Sequence, residues 1–137
     1  MVQSFRPDGP AGGLCAVAGE SWLPFQQAFN PTPSHPDHVS GHSTYSAASA
    51  AVLRLFTGSD AFNHRVTINA RSSLYDPALP AVDVRLAWDS FSAAAAEAGR
   101  SRIYGGIHFP NADVVGRALG EQVGSTAFAK AQAYWRG

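Results

Sequence analysis

Gly116, Gly120 and Gly124 recur at every fourth position in a stretch whose apolar residues Val115, Leu119, Val123 and Phe128 keep helical spacing. A glycine inside a helix costs about 1 kcal/mol relative to alanine, and residues four apart share one helix face. Three in succession therefore need a compensating contact, and a second helix whose backbone comes very close supplies it. The spacing predicts a long helix from about Ala112 to Tyr134. Two suitable neighbours lie upstream. Tyr45, Ala48, Val52, Leu53 and Phe56 predict a helix from Ser43 to Phe56, stopped by Gly58. Ser90 or Ser92 caps a segment from Phe91 to about Ile103, which carries Ala93 to Ala96 and ends at Gly105-Gly106. Small side chains on these faces let backbones approach, so the expected fold class is all-α, a narrow helical bundle.

The remaining segments are expected to be irregular. Residues 1–42 form a loop-rich lead-in, because Pro7, Pro10, Pro24, Pro31, Pro33 and Pro36, with Gly9, Gly12, Gly13 and Gly19, forbid a long helix. Trp22, Leu23, Phe25 and Phe29 give that lead-in enough apolar surface to lie across helices. Between residues 59 and 88, Val66 to Ile68 and Val82 to Val84 are two β-branched stretches separated by Tyr75, Pro77 and Pro80, read as a short hairpin or an irregular crossover. The whole chain, residues 1–137, is expected to be a single domain with its helical core in 43–137.

Composition narrows the function. Ten Lys and Arg balance ten Asp and Glu, and Lys130 is the one lysine, so no basic stripe is offered to nucleic acid. The single Cys15 excludes an internal disulfide and a multi-cysteine zinc site. No apolar run approaches membrane-spanning length and no signal pattern opens the chain, so a soluble protein is expected, secreted or periplasmic if a longer precursor exists. His35, His38 and His42 do not share a helical face, because Pro36 interrupts them; they are expected as loop histidines without zinc. Gly41-His42-Ser43 fails as a nucleophile elbow, since Tyr45 stands where glycine is required.

Two polar clusters sit beside helix starts. Val39-Ser40-Gly41-His42 precedes the first helix, where free amides and the helix dipole favour an oxyanion, Gly41 permits close approach and Ser40 adds a hydroxyl donor. Ser101-Arg102-Ile103-Tyr104-Gly105-Gly106-Ile107-His108 links the next two helices. Arginine suits the oxygens of a tetrahedral or trigonal-bipyramidal oxyanion because its fork is planar and always ionised. Imidazole can bond the central atom or move a proton near neutral pH. If the helices pack together, His42, Arg102 and His108 face one pocket.

The blocks PSHPDHVSGHSTYSAASAAVL, from Pro33 to Leu53, and EAGRSRIYGGIHFPNADVVGRALGEQVG, from Glu97 to Gly124, resemble the vanadium-dependent haloperoxidases and the related type 2 phosphatidic acid phosphatases. That family is helical and binds vanadate or phosphate through three motifs: a lysine, a spacer and Arg-Pro; Pro-Ser-Gly-His; and Ser-Arg, a spacer, then Gly-x-His. The resemblance implies that His108 is the metal ligand, or the nucleophile of a phosphatase, and that His42 is the acid/base. It implies that Arg6, Ser40, Gly41 and Arg102 hold the oxygens. Val39 replaces the proline of the second motif, and the first is reduced to Phe5-Arg6-Pro7 without its lysine. Helices that precede that motif in the family are absent, which implies an incomplete bundle, a C-terminal piece or a reduced relative, with exposed faces that favour homo-oligomers. The third motif often carries a carboxylate four residues after its histidine. Ala112 stands there, and the neighbouring Asp113 is a candidate to orient His108.

The function implied by the resemblance is oxidation of halide by hydrogen peroxide at a His108-bound vanadate, the metal acting as a Lewis acid. An acid phosphatase working on phosphate esters through a phospho-histidine, with phosphate in place of vanadate, is the alternative. A catalytically silent helical remnant is the third reading. Neither nucleic acid nor a membrane is an expected partner.

Overall fold

The computed structural model describes residues 2–6, 9–26 and 31–137; for residues 2–6, 9–12 and Leu14 it describes the backbone alone. Two antiparallel hairpins and three helices follow in chain order. Strands β1 (Val2–Arg6) and β2 (Gly9–Val17) pair first, and a single 3-10 turn spans Gly19–Ser21. Helix α1 (Gly41–Thr57) precedes the second hairpin, β3 (Ala61–Ile68) with β4 (Val84–Ser90), and helices α2 (Phe91–Tyr104) and α3 (Pro110–Arg136) complete the chain.

The all-α expectation is therefore overturned by two two-stranded sheets. Glycine and proline in residues 1–42 exclude helix, but they leave extended pairing open, and Val2 meets Val17 while Phe5 meets Leu14 in register. In the second hairpin β-branched Ile68 faces Val84, and Val66 faces Leu86, apolar pairs that suit extended backbone. Val82, the first residue of the second β-branched stretch, lies in the connecting loop.

The helices start and stop where local chemistry directs. Ser40 caps α1, its hydroxyl accepting from the Ser43 amide at 3.3 Å, and Gly58 closes it in the left-handed region at φ 72°. Ser90 caps α2 by accepting from Ala93 N at 2.9 Å. Asp60 adds a second anchor at that helix start, accepting from Ser92 N at 3.0 Å. Pro110 occupies the first turn of α3, where its missing N–H costs nothing.

The glycine stripe has the predicted partner. A Cβ at Gly120 would overlap the Thr44 carbonyl oxygen, one at Gly124 that of Ala48, and one at Gly116 would come within 2.9 Å of Ser40 O. Helix α3 thus lies backbone to backbone against α1. The core at this seam is correspondingly small, with Ala47, Ala50, Ala51, Ala112 and Phe128 buried. Val115, Leu119 and Val123, beside the glycines, stay substantially exposed. All three helices meet at Asp113, which is 5% exposed. It accepts from Ser43 Oγ at 2.8 Å and from both Arg117 Nε and Nη2 at 3.1 Å, while Gly99 leaves the room it needs. Burial alone would raise its pKa, but the bonds from Arg117 and Ser43 prevail and lower it.

Candidate functional site

One wall of the site is the start of α1. Ser40 is fully buried and tied on every side. Its N–H donates to Ala112 O at 3.1 Å, and its carbonyl accepts from Thr44 N at 3.0 Å and Thr44 Oγ1 at 2.9 Å. Because Ala112 lies in the first turn of α3, the starts of α1 and α3 are bound directly to each other. The Ser40 hydroxyl oxygen serves the cap, which leaves its hydrogen to donate. Gly41 differs from the packing glycines, since a Cβ there would meet nothing within 4 Å. Gly41 is solvent-exposed at a helix start, the kind of place that favours an anion.

The turn joining α2 to α3 forms the second wall. Ile107 N and His108 N both donate to Arg102 O, at 3.0 and 3.4 Å, so Arg102 and His108 are held across one tight reversal. Gly106 makes it feasible with φ 66°. From outside, the lead-in clamps this turn: Phe25 N donates to Gly105 O at 3.2 Å, Gln26 Nε2 donates to the same oxygen at 2.9 Å, and the Trp22 and Phe109 rings meet at 5.7 Å.

His108 is 4% exposed. Its Nδ1 lies 3.2 Å from Asp37 Oδ1, and the His35 ring stacks on it at 5.1 Å and 11°. His108 Nε2 and Arg102 Nε are buried without a hydrogen-bond partner among the described residues. Leaving buried polar atoms unpaired costs about 1–3 kcal/mol each, so these two nitrogens call for a guest. His42 stands on the first turn of α1. Partial withdrawal of its ring from water, then the charges of Arg102, His108 and His35, lower its pKa below 6.5. A cleft of about 620 Å³ opens beside His42, lined by Pro33, His35, Val39, Gly41, His42 and Tyr45 among others. His35 links its wall to His108.

Of the residues singled out from sequence, Ser40, Gly41 and His42 share the α1 start, and Arg102 and His108 share the facing turn. Arg6 ends β1, and its side chain is outside the described residues. Two assignments change. Asp113 is committed to Ser43 and Arg117, and the carboxylate beside His108 is Asp37. His35 is solvent-exposed as expected of a loop histidine, yet its ring covers His108. The one hint in the sequence was the carboxylate inside His35-Pro36-Asp37-His38, a short proline-stiffened loop just ahead of the capping serine. No set of three or more His, Cys, Asp or Glu side chains suited to hold a metal ion occurs among the described residues, and no helix among them is long and apolar enough to cross a membrane.

A family model described as the VCPO second helical-bundle domain matches residues 1–137. The chain belongs to this family of the vanadium haloperoxidases. Solved haloperoxidase structures show the same fold. The holo form of a bacterial vanadium-dependent chloroperoxidase superposes with a TM-score of 0.78 at 22% identity, covering 98% of this chain and 28% of that one. Its apo form gives 0.73 at 23% identity, over 90% and 26%. A structure of the first bacterial vanadium-dependent iodoperoxidase gives 0.53 at 36% identity, over 77% of this chain and 22% of that chain. This chain thus spans about a quarter of the length of these structures. No curated protein matches it.

Proposed function

We propose that this chain binds vanadate at His108 and serves the oxidation of halide by hydrogen peroxide. The observation that carries the reading is the pair of buried, unpartnered nitrogens, His108 Nε2 and Arg102 Nε, beside an open helix start. Those donor types fit the group: a neutral imidazole nitrogen can ligate the metal, and a guanidinium can hold anionic oxygen. When bound, vanadate supplies a Lewis-acidic centre that activates peroxide toward halide without a change in the metal's oxidation state.

The residues have separate tasks. His108 presents Nε2 as the ligand atom. Arg102, the Ser40 hydroxyl hydrogen and the amides at Gly41 neutralise and orient the oxygens. Arg6 is the remaining candidate for a second positive donor. His42, neutral at pH 7 because its pKa is lowered, takes a proton from incoming peroxide and can return it to a leaving oxygen. The cleft at its side gives peroxide and halide a route in.

Vanadium-51 NMR titration of the purified chain, with bromide oxidation by peroxide as the second readout, tests this. Wild-type protein is expected to bind vanadate, His108→Ala to lose binding and turnover, and Arg102→Ala to bind about 10–100-fold more weakly, the equivalent of one charged hydrogen bond. Equal binding by wild type and His108→Ala overturns the reading. Hydrolysis of a phosphate monoester without vanadate, in place of halide oxidation, would replace it with a phosphatase.

A further inference from the structure

We infer that Asp37 is the positioning residue for His108, fixing which ring nitrogen is free to bind the oxyanion. The inference rests on the vanadate reading above for its purpose, but not for its geometry. Asp37 Oδ1 lies 3.2 Å from His108 Nδ1 and accepts the Phe109 amide at 3.0 Å. A carboxylate can only accept, so Nδ1 carries the hydrogen of the bond between them. In the neutral ring the other nitrogen, Nε2, then holds a bare lone pair. That atom is the one left buried and without a partner.

The second bond fixes where the ring sits. Phe109 caps α3 but contributes no side-chain cap of its own, and Asp37 takes its N–H. One carboxylate oxygen therefore holds both the imidazole and the backbone of the next residue. His35 covers one face of the ring by stacking flat on it. The His108 side chain is 1% exposed and that of Asp37 42% exposed, so the carboxylate stays hydrated while the ring it aims is shielded. Such a carboxylate–histidine pair sets the tautomer and raises the basicity of a ligand nitrogen, and removing the outer partner typically weakens metal affinity or activity by about 10–100-fold. Asp113, the other carboxylate near His108 in sequence, is turned instead toward Ser43 and Arg117, which donate to its oxygens.

A purely structural role would tie the loop to α3 and leave the ring's protonation pattern alone. Nitrogen-15 NMR of the imidazole rings, recorded without vanadate and at a pH where His108 is neutral, separates the two; His108→Gln assigns the signal. The wild-type ring is expected in the Nδ1–H form. Asp37→Asn keeps an acceptor for Phe109 N–H and is expected to stay folded, with an increased share of the Nε2–H form; Asp37→Ala is expected to shift the ring further and to weaken vanadate binding about 10–100-fold. An Nε2–H ring in the wild-type protein overturns the inference, whether or not Asp37→Ala folds. So does a wild-type ring spectrum in folded Asp37→Asn and Asp37→Ala. Vanadate binding that depends on His108 but leaves the tautomer indifferent to Asp37 refutes this inference alone, whereas a tautomer controlled by Asp37 in a chain that binds no vanadate refutes the proposed function alone.

Discussion

The ring of His42 is partly withdrawn from water and faces the charges of Arg102, His108 and His35, which lower its pKa below 6.5. The unfolded chain therefore takes up this proton more readily than the folded one. As pH falls below about 6.5 the His42 contribution turns against folding, and it levels off once the folded-state ring is also protonated. Proton NMR is expected to show His42 titrating below its ordinary value, and Arg102→Gln to move the midpoint upward without reaching 6.5, because desolvation remains. A midpoint unmoved by Arg102→Gln would separate the two residues. His42, Arg102 and His108 were readable because each stands at a helix end inside a short motif. Asp37 was not, since nothing local shows that its loop folds across to Phe109. Asp113 was misread for the complementary reason: adjacency along the chain suggested His108, but its place in the first turn of α3 carries it to Ser43 and α2.

Helix ends carry local chemical signals, and of the two hairpins the second was legible from its β-branched stretches while the first was not. Ser40, Gly58 and Ser90 mark their ends by side-chain or left-handed backbone chemistry that any sequence declares. In contrast, β2 carries Gly9, Gly12 and Gly13, poor strand formers; Gly9 lies opposite Arg6 across a register shift, and Gly13 takes the left-handed region at φ 71°. The contact between α1 and α3 was legible as a need for small residues, and its details give a sharp comparison. Gly120→Ala would gain about 1 kcal/mol of helix propensity yet drive a methyl group into the Thr44 carbonyl, so a net loss of about 1–3 kcal/mol is expected. Gly41→Ala meets open space and is expected to change stability by no more than about 0.5 kcal/mol while lowering vanadate affinity. Urea unfolding of the two variants checks both, and a Gly120→Ala protein as stable as wild type would contradict backbone contact between the helices.

Across the whole molecule, much apolar surface stays in water. Val123 is 50% exposed, Leu119 42%, Phe56 70% and Trp135 67%, and the first two sit beside the glycine stripe on α3. Exposed apolar side chains of this size favour association. The chain is expected to self-associate, which sedimentation velocity would show as a concentration-dependent shift; a monodisperse monomer at every concentration would count against it. The bond between Asp37 and His108 joins positions 71 residues apart, while each helix is built from neighbours. Loop closure on that span is slow compared with helix growth. During synthesis, then, the helical segments can form early, but the histidine acquires its carboxylate companion only after residue 108 has emerged and the intervening polypeptide has doubled back, making competence for guest binding one of the last things the newborn protein acquires.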